Sequence, residues 1–135
     1  MKNLMTTNIY DISEALVIVG SCLPNMQPSG FETLKEISKD ILEVCLEETH
    51  INMVITKVGG MIRTGKIKKL VFATVDKSPH CIQMHYIQDE LKKMMNLDGI
   101  QIENYVIVNN TLEKINPEII SISKNLTKVK ELLNQ

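Results

Sequence analysis

Three short strand-like runs separated by stretches of a different period constrain this chain more than any other feature. They are "ALVIVGS" (Ala15 to Ser21), "LVFATVD" (Leu70 to Asp76) and "IENYVIVN" (Ile102 to Asn109). Each is far too short to span a membrane. The first two are almost wholly apolar and rich in β-branched residues, which suits strands buried on both faces. Between the runs, apolar residues recur at every third or fourth position, the period of a helix that buries one side.

Phe31, Leu34, Ile37, Ile41 and Cys45 predict a helix over about 31–48, after a turn-rich loop, "CLPNMQPSG". Met53, Val54, Val58, Met61 and Ile62 fit a second helix over 51–65. Gly59-Gly60 could turn a hairpin there instead. The spacing favours a helix whose glycines allow close packing. Ser78 and Pro79 open a third helix that runs to about Asn96. Ile119, Ile122, Leu126, Val129 and Leu133 mark a last one, opened by Asn116 or Pro117. Strands alternating with helices predict an α/β fold. We expect one domain over 1–135, a small Rossmann-like three-layer sandwich with a mostly parallel sheet of three to four strands. The fourth strand would be an edge supplied by the N-terminal residues.

Composition narrows the function classes. The chain has 135 residues and a formal net charge of -1, so it offers no broad field for nucleic acid or an anionic membrane. The lysines at 66, 68 and 69 are offset by acidic residues elsewhere. Asp11 and Glu14 precede the apolar run Ala15 to Val19, which argues against a signal peptide. Three cysteines make no disulfide framework, and the expected compartment is the reducing cytoplasm. The 8 methionines are gap-fillers of a core.

In an open parallel sheet, ligands collect beyond the carboxyl ends of the strands. Cys22 leaves the first strand there, and Asp76, Ser78, His80 and Cys81 leave the second. If those strands are neighbours, Cys22 and Cys81 come close together. Cys81 falls in the first turn of a predicted helix, where free N–H groups and the helix dipole favour a thiolate. His85 would lie one turn further on the same face, with Gln88 beyond it, and Asp76 could hold a histidine in one tautomer.

Three chemistries fit this cluster. Cys81 serves as a nucleophile or persulfide carrier, with His85 or His80 as base. Alternatively Cys81, His85 and Cys22 (or His80) hold zinc or iron. In the third, Ser78 and the helix start, with Asp76, Cys22 and Gln83 nearby, bind a small anionic ligand. A purely structural account has Ser78 as a cap and Cys81 as a small hydrophobe. No nucleotide motif is present, because Gly-x-Ser-Cys lacks the glycines and the Lys-Ser/Thr of a phosphate loop. Cys45 sits on an apolar stripe and reads as core. His50 reads as solvated or capping, and Glu47, Glu48, Asp89 and Glu90 as helix surface. The partners expected are a small anionic ligand or a redox protein, together with a second copy of the chain.

The run "GKIKKLVFATVDKSPHCIQMHYIQDEL" (65–91), with "YVIVNNTLEKINPE" downstream, resembles a group of small prokaryotic α/β proteins of unassigned function. The resemblance is carried by Asp76-x-Ser78-x-His80-Cys81-x-Gln83-x-His85. Some members of that group occur beside, or fused to, ferredoxin-type iron–sulfur segments. The resemblance implies that residues 76–85 matter and supplies no substrate. This chain has no Cys-x2-Cys-x2-Cys motif, so no cluster is implied here.

Overall fold

A computed structural model describes residues 1–135. Six strands form one sheet: β1 (Lys2–Asn3), β2 (Ala15–Gly20), β3 (Ile41–Val44), β4 (Lys69–Val75), β5 (Gln101–Val108) and β6 (Thr111–Lys114). Their spatial order is β1-β3-β2-β4-β5-β6. Every pair is parallel except the β5–β6 hairpin. The helices are α1 (Leu23–Met26), α2 (Pro28–Leu34), α3 (Ile51–Arg63), α4 (Ile87–Met94), α5 (Pro117–Ser123) and α6 (Leu126–Leu133).

The strand alternation divides the core in two. Leu16, Ile18, Leu70 and Phe72 point to the face covered by α3 and α4, where they meet Val54, Val58, Met61, Ile87 and Leu91. Val17, Val19, Val71 and Ala73 point to the opposite face and meet Leu23 of α1 and Leu34 of α2. The expected three-layer α/β sandwich is therefore present, built on a larger sheet than three to four strands.

Two of the added strands, β3 and β6, lie outside the runs read as strands, and at β3 the periodicity misleads. The helix expected over 31–48 is instead α2, a connection and β3. Ser38 Oγ accepts from Asp40 N at 3.0 Å and donates to Ala15 O at 2.6 Å, while Asp40 accepts from Ser13 N at 2.7 Å. These local bonds give the backbone an alternative to helix, as Ser and Asp do. Ile41 then faces one core and Leu42 and Val44 the other. β6 is returned by Asn109-Asn110, both left-handed at φ 51 and 60, the conformation that a two-residue hairpin requires. That turn grips α2: Asn110 Oδ1 accepts from Ser29 N at 3.1 Å and Gly30 N at 3.3 Å. Gly30 lacks a side chain where a Cβ would lie 2.5 Å from Ile107.

Residues 51–63 form the helix, and the N-terminal edge strand is β1. At Gly59 a Cβ would lie 3.4 Å from Leu91, and at Gly60 3.5 Å from Ile9, so α3 runs close to both neighbours. The expected helix over 79–96 begins instead as a 3₁₀ segment, Cys81–Tyr86, and turns α-helical only at Ile87. The expected last helix breaks after Ser123, and Asn125 restarts it by accepting from Lys128 N at 3.2 Å. No helix is long and apolar enough to cross a membrane.

Phe72 is fully buried, whereas Leu133 is 80% exposed. Phe72→Ala should lower unfolding free energy by about 3–5 kcal/mol. Leu133→Ala should change it by less than about 0.5 kcal/mol. Urea unfolding curves compare the two directly.

Candidate functional site

The strand order reverses at the β2–β4 pair. From β2 the chain moves outward to β3, then crosses back by α3 to β4 on the other side of β2. In α/β sheets the crevice outside the carboxyl ends at such a reversal is where ligands bind. Cys22 follows β2 at that point, and Cys81 follows the turn after β4.

The expected meeting of Cys22 and Cys81 is present, with their sulfurs 3.8 Å apart. Gly20 makes room for it, since a Cβ there would stand 2.8 Å from Cys81 Sγ and 3.9 Å from Cys22 Sγ. Cys81 is 8% exposed and Cys22 half-buried. Burial, then the charge and hydrogen bond of Cys81, push the Cys22 thiol up to about 11. At neutral pH Cys22 therefore keeps its proton, and either sulfur can be the donor of the pair. All three cysteines are free.

The expectation of an α-helical N-terminus beneath Cys81 fails. The segment is a six-residue 3₁₀ turn, and the Cys81 N–H is satisfied by Ser78 Oγ at 3.3 Å. With three residues per turn, a spacing of four is a turn and a third, so the α-helical stacking of Cys81 and His85 does not apply, although both side chains are buried.

His85 instead turns into the core beside β4 and β5. Its Nε2 lies 2.8 Å from Thr74 Oγ1 and its Nδ1 2.9 Å from Asn104 Oδ1. Asn104 Nδ2 donates to Gln88 Oε1 at 3.3 Å, and Gln88 Nε2 donates to the His85 carbonyl at 2.9 Å. The chain of bonds is consistent with one direction only: Thr74 O–H to Nε2, Nδ1–H to Asn104, Asn104 to Gln88, and Gln88 back to His85. Burial holds the imidazole below its ordinary pKa, the bond to Asn104 opposing this only in part, so the ring is neutral. The histidine is thus oriented by Asn104 rather than Asp76, which is exposed. Nothing in the sequence pattern joins Thr74, Gln88 and Asn104 as a bonded set. The available signal is polarity at inward-facing positions of otherwise apolar strands.

The remaining expected residues scatter. His80 points outward, half exposed, with Nδ1 4.0 Å from Glu47 Oε2. Gln83 is exposed. Cys81, His85 and Cys22 form no ligand set, because both nitrogens of His85 are already engaged. No three or more His, Cys, Asp or Glu side chains are grouped to hold a metal ion. On the β5 side of the turn, a cleft of about 240 Å³ is lined by Thr74, Asp76, Ser78, Ile82, His85 and Val106, among others. Cys45 follows β3 and is half-buried, not sealed in a core.

An open, mostly parallel sheet with helices on both faces defines a doubly wound α/β protein, with two of its thiols beyond the carboxyl ends at the reversal. The chain belongs to the Rossmann-like domain family, whose model matches residues 12–135. No curated protein and no solved structure matches it.

His85 ties acid stability to this network. Its folded pKa is depressed below the ordinary 6.5, so below that value the unfolded chain binds the proton first and stability falls with pH. His85→Gln should cost about 1–3 kcal/mol above neutrality, where the network's bonds are lost. That deficit should shrink below pH 6.5, by at most about 1.4 kcal/mol per unit. Urea unfolding between about pH 8 and pH 5 measures the gap. Separately, Gly20→Ala should destabilise by about 1–3 kcal/mol through overpacking on Cys81. Cys81→Ala should relieve that loss in the double variant, giving a non-additive thermodynamic cycle.

Proposed function

We propose that the chain carries out thiol–disulfide chemistry at Cys22 and Cys81, cycling between a dithiol and a disulfide against a redox partner. The observation that carries this reading is the 3.8 Å sulfur contact at the sheet's reversal. Two thiols so placed need only a small shift to reach bonding distance, about 2 Å. The step balances through a mixed disulfide. Cys22, the more exposed of the two, loses its proton, attacks a partner disulfide and releases one partner thiol. Cys81 then loses its proton, attacks Cys22 Sγ and releases the second. Two protein thiols become one disulfide, and one partner disulfide becomes two thiols. His85 is a positioning residue in this reading, because it anchors the segment that carries Cys81 and both its ring nitrogens are engaged by Thr74 and Asn104. A reducing cytoplasm would keep the resting form a dithiol.

A second reading, a non-catalytic module for a small ligand, is favoured by the cleft beside Asp76, Ser78 and His85. It requires no reaction at sulfur.

Oxidation of the full chain with oxidised glutathione, followed by blocking of free thiols and peptide mapping, separates the two. The thiol reading expects a Cys22–Cys81 disulfide that raises Tm and reverses with dithiothreitol. Cys22→Ser should abolish both effects. A chain whose cysteines remain individually labelled after oxidation would overturn it.

A further inference from the structure

Cys45 stands outside the sulfur pair, yet the fold delivers it to the same end of the sheet. β3 ends at Val44, which pairs in register with Gly20, and Ser21 N donates to Val44 O at 3.1 Å. Cys22 and Cys45 are therefore each the next residue beyond one hydrogen bond. A second contact closes the same region: His80, adjacent to Cys81, lies 4.0 Å from Glu47, two residues after Cys45. Three cysteines thus follow three adjacent parallel strands, with Cys22 between the others. The charge of Cys45 adds a minor contribution, after burial and Cys81, to the rise of the Cys22 thiol.

We propose that the three cysteines form a relay, in which the Cys22–Cys81 disulfide is passed on as a Cys22–Cys45 disulfide to meet a partner thiol. The relay rests on the thiol reading above. Cys45, as thiolate, attacks Cys22 Sγ. The Cys22–Cys45 bond forms as Cys22–Cys81 breaks, and the electron pair of the old bond leaves on Cys81, which takes up the proton Cys45 gave. The exchange involves no net oxidation; the oxidising equivalent enters earlier from a disulfide such as oxidised glutathione. The transfer moves the disulfide away from nearly buried Cys81. It arrives beside the β3 turn, where Glu47 and Glu48 are exposed and a partner's thiol has access.

The test uses the full chain as wild type, Cys81→Ser, Cys81→Ala and Cys45→Ser, each oxidised with glutathione disulfide and mapped as monomer. The relay expects a Cys22–Cys45 disulfide in most of the Cys81→Ser or Cys81→Ala monomer, and only Cys22–Cys81 in Cys45→Ser. If wild type forms Cys22–Cys81 while a folded Cys81 variant forms no Cys22–Cys45, the relay is overturned and the thiol reading stands. If Cys22–Cys81 forms in neither wild type nor Cys45→Ser, the thiol reading falls and the relay with it. A measurement on the unaltered chain avoids any folding defect: slow iodoacetamide labelling of the oxidised protein. Labelling at both Cys45 and Cys81 supports exchange, and labelling at Cys45 alone excludes it.

Discussion

β4 is the member on which the rest is built, because it is buried on both faces and paired along both edges. Leu70 and Phe72 enter one core, Val71, Ala73 and Val75 the other, and β2 and β5 take up its edges. A strand so placed cannot shift by one residue without turning both sets of side chains to the wrong side. Its carboxyl end is therefore held by two cores at once. The chain leaves it through Lys77, held left-handed at φ 70, a conformation uncommon for a residue with a side chain. The segment beyond this turn, Cys81 included, inherits the precision of the strand. A pair of sulfurs from distant parts of the chain requires that precision.

The one polar residue that β4 buries, Thr74, explains why the 3₁₀ segment lies where it does. A buried hydroxyl without a partner is unfavourable by a few kcal/mol, and His85 removes that penalty while acquiring one of its own. Asn104 and Gln88 complete the set, and no buried side-chain polar atom is left unpaired. Glu103, one residue before Asn104 on β5, is handled differently. Burial acts to raise its pKa, but Lys69 at 3.1 Å and Lys114 at 3.3 Å outweigh this and hold it ionised. The two solutions lie on opposite faces of the sheet, at adjacent strand positions. Charge is neutralised on one face, and a neutral hydrogen-bonded chain is used on the other.

The sheet's central strands are readable because continuous apolar runs have few other fates, and the strand ends name Cys22 and Cys81 as a pair. β3 is not readable by period. Ile41 and Cys45 happen to continue the three- and four-residue spacing of Phe31, Leu34 and Ile37, and the bonds of Ser38 and Asp40 that stop the helix depend on contacts with Ser13 and Ala15. Misreading β3 also hides Cys45, since a residue on a helix stripe and one at a strand's end have unrelated surroundings. The metal set fails for a related reason. A spacing of four residues aligns side chains on an α-helix but not on a 3₁₀ turn, and the segment that buries Cys81, Met84 and His85 is the latter. Asn104 and Gln88 are visible as letters, but their partnership depends on strand pairing, which a single sequence does not display.

The distance in sequence between Cys22 and Cys81, 59 residues, gives the pair a property that a local Cys-x-x-Cys lacks. A local motif holds its sulfurs together in the unfolded chain almost as well as in the folded one, so its redox state tells little about the fold. Here the unfolded chain must close a long loop to bring the sulfurs together, at a cost of about 4 kcal/mol in chain entropy. The folded sheet has already met that cost by pairing β2 with β4. By linkage, whatever stabilises the sheet would also favour the proposed disulfide, which would stabilise the sheet in return. Gly20 sets the limit on this coupling, because it alone lets Cys81 approach the end of β2 closely enough for the sulfurs to meet. Fold and the proposed thiol chemistry then depend on one close approach, and a residue larger than glycine at position 20 would impair both.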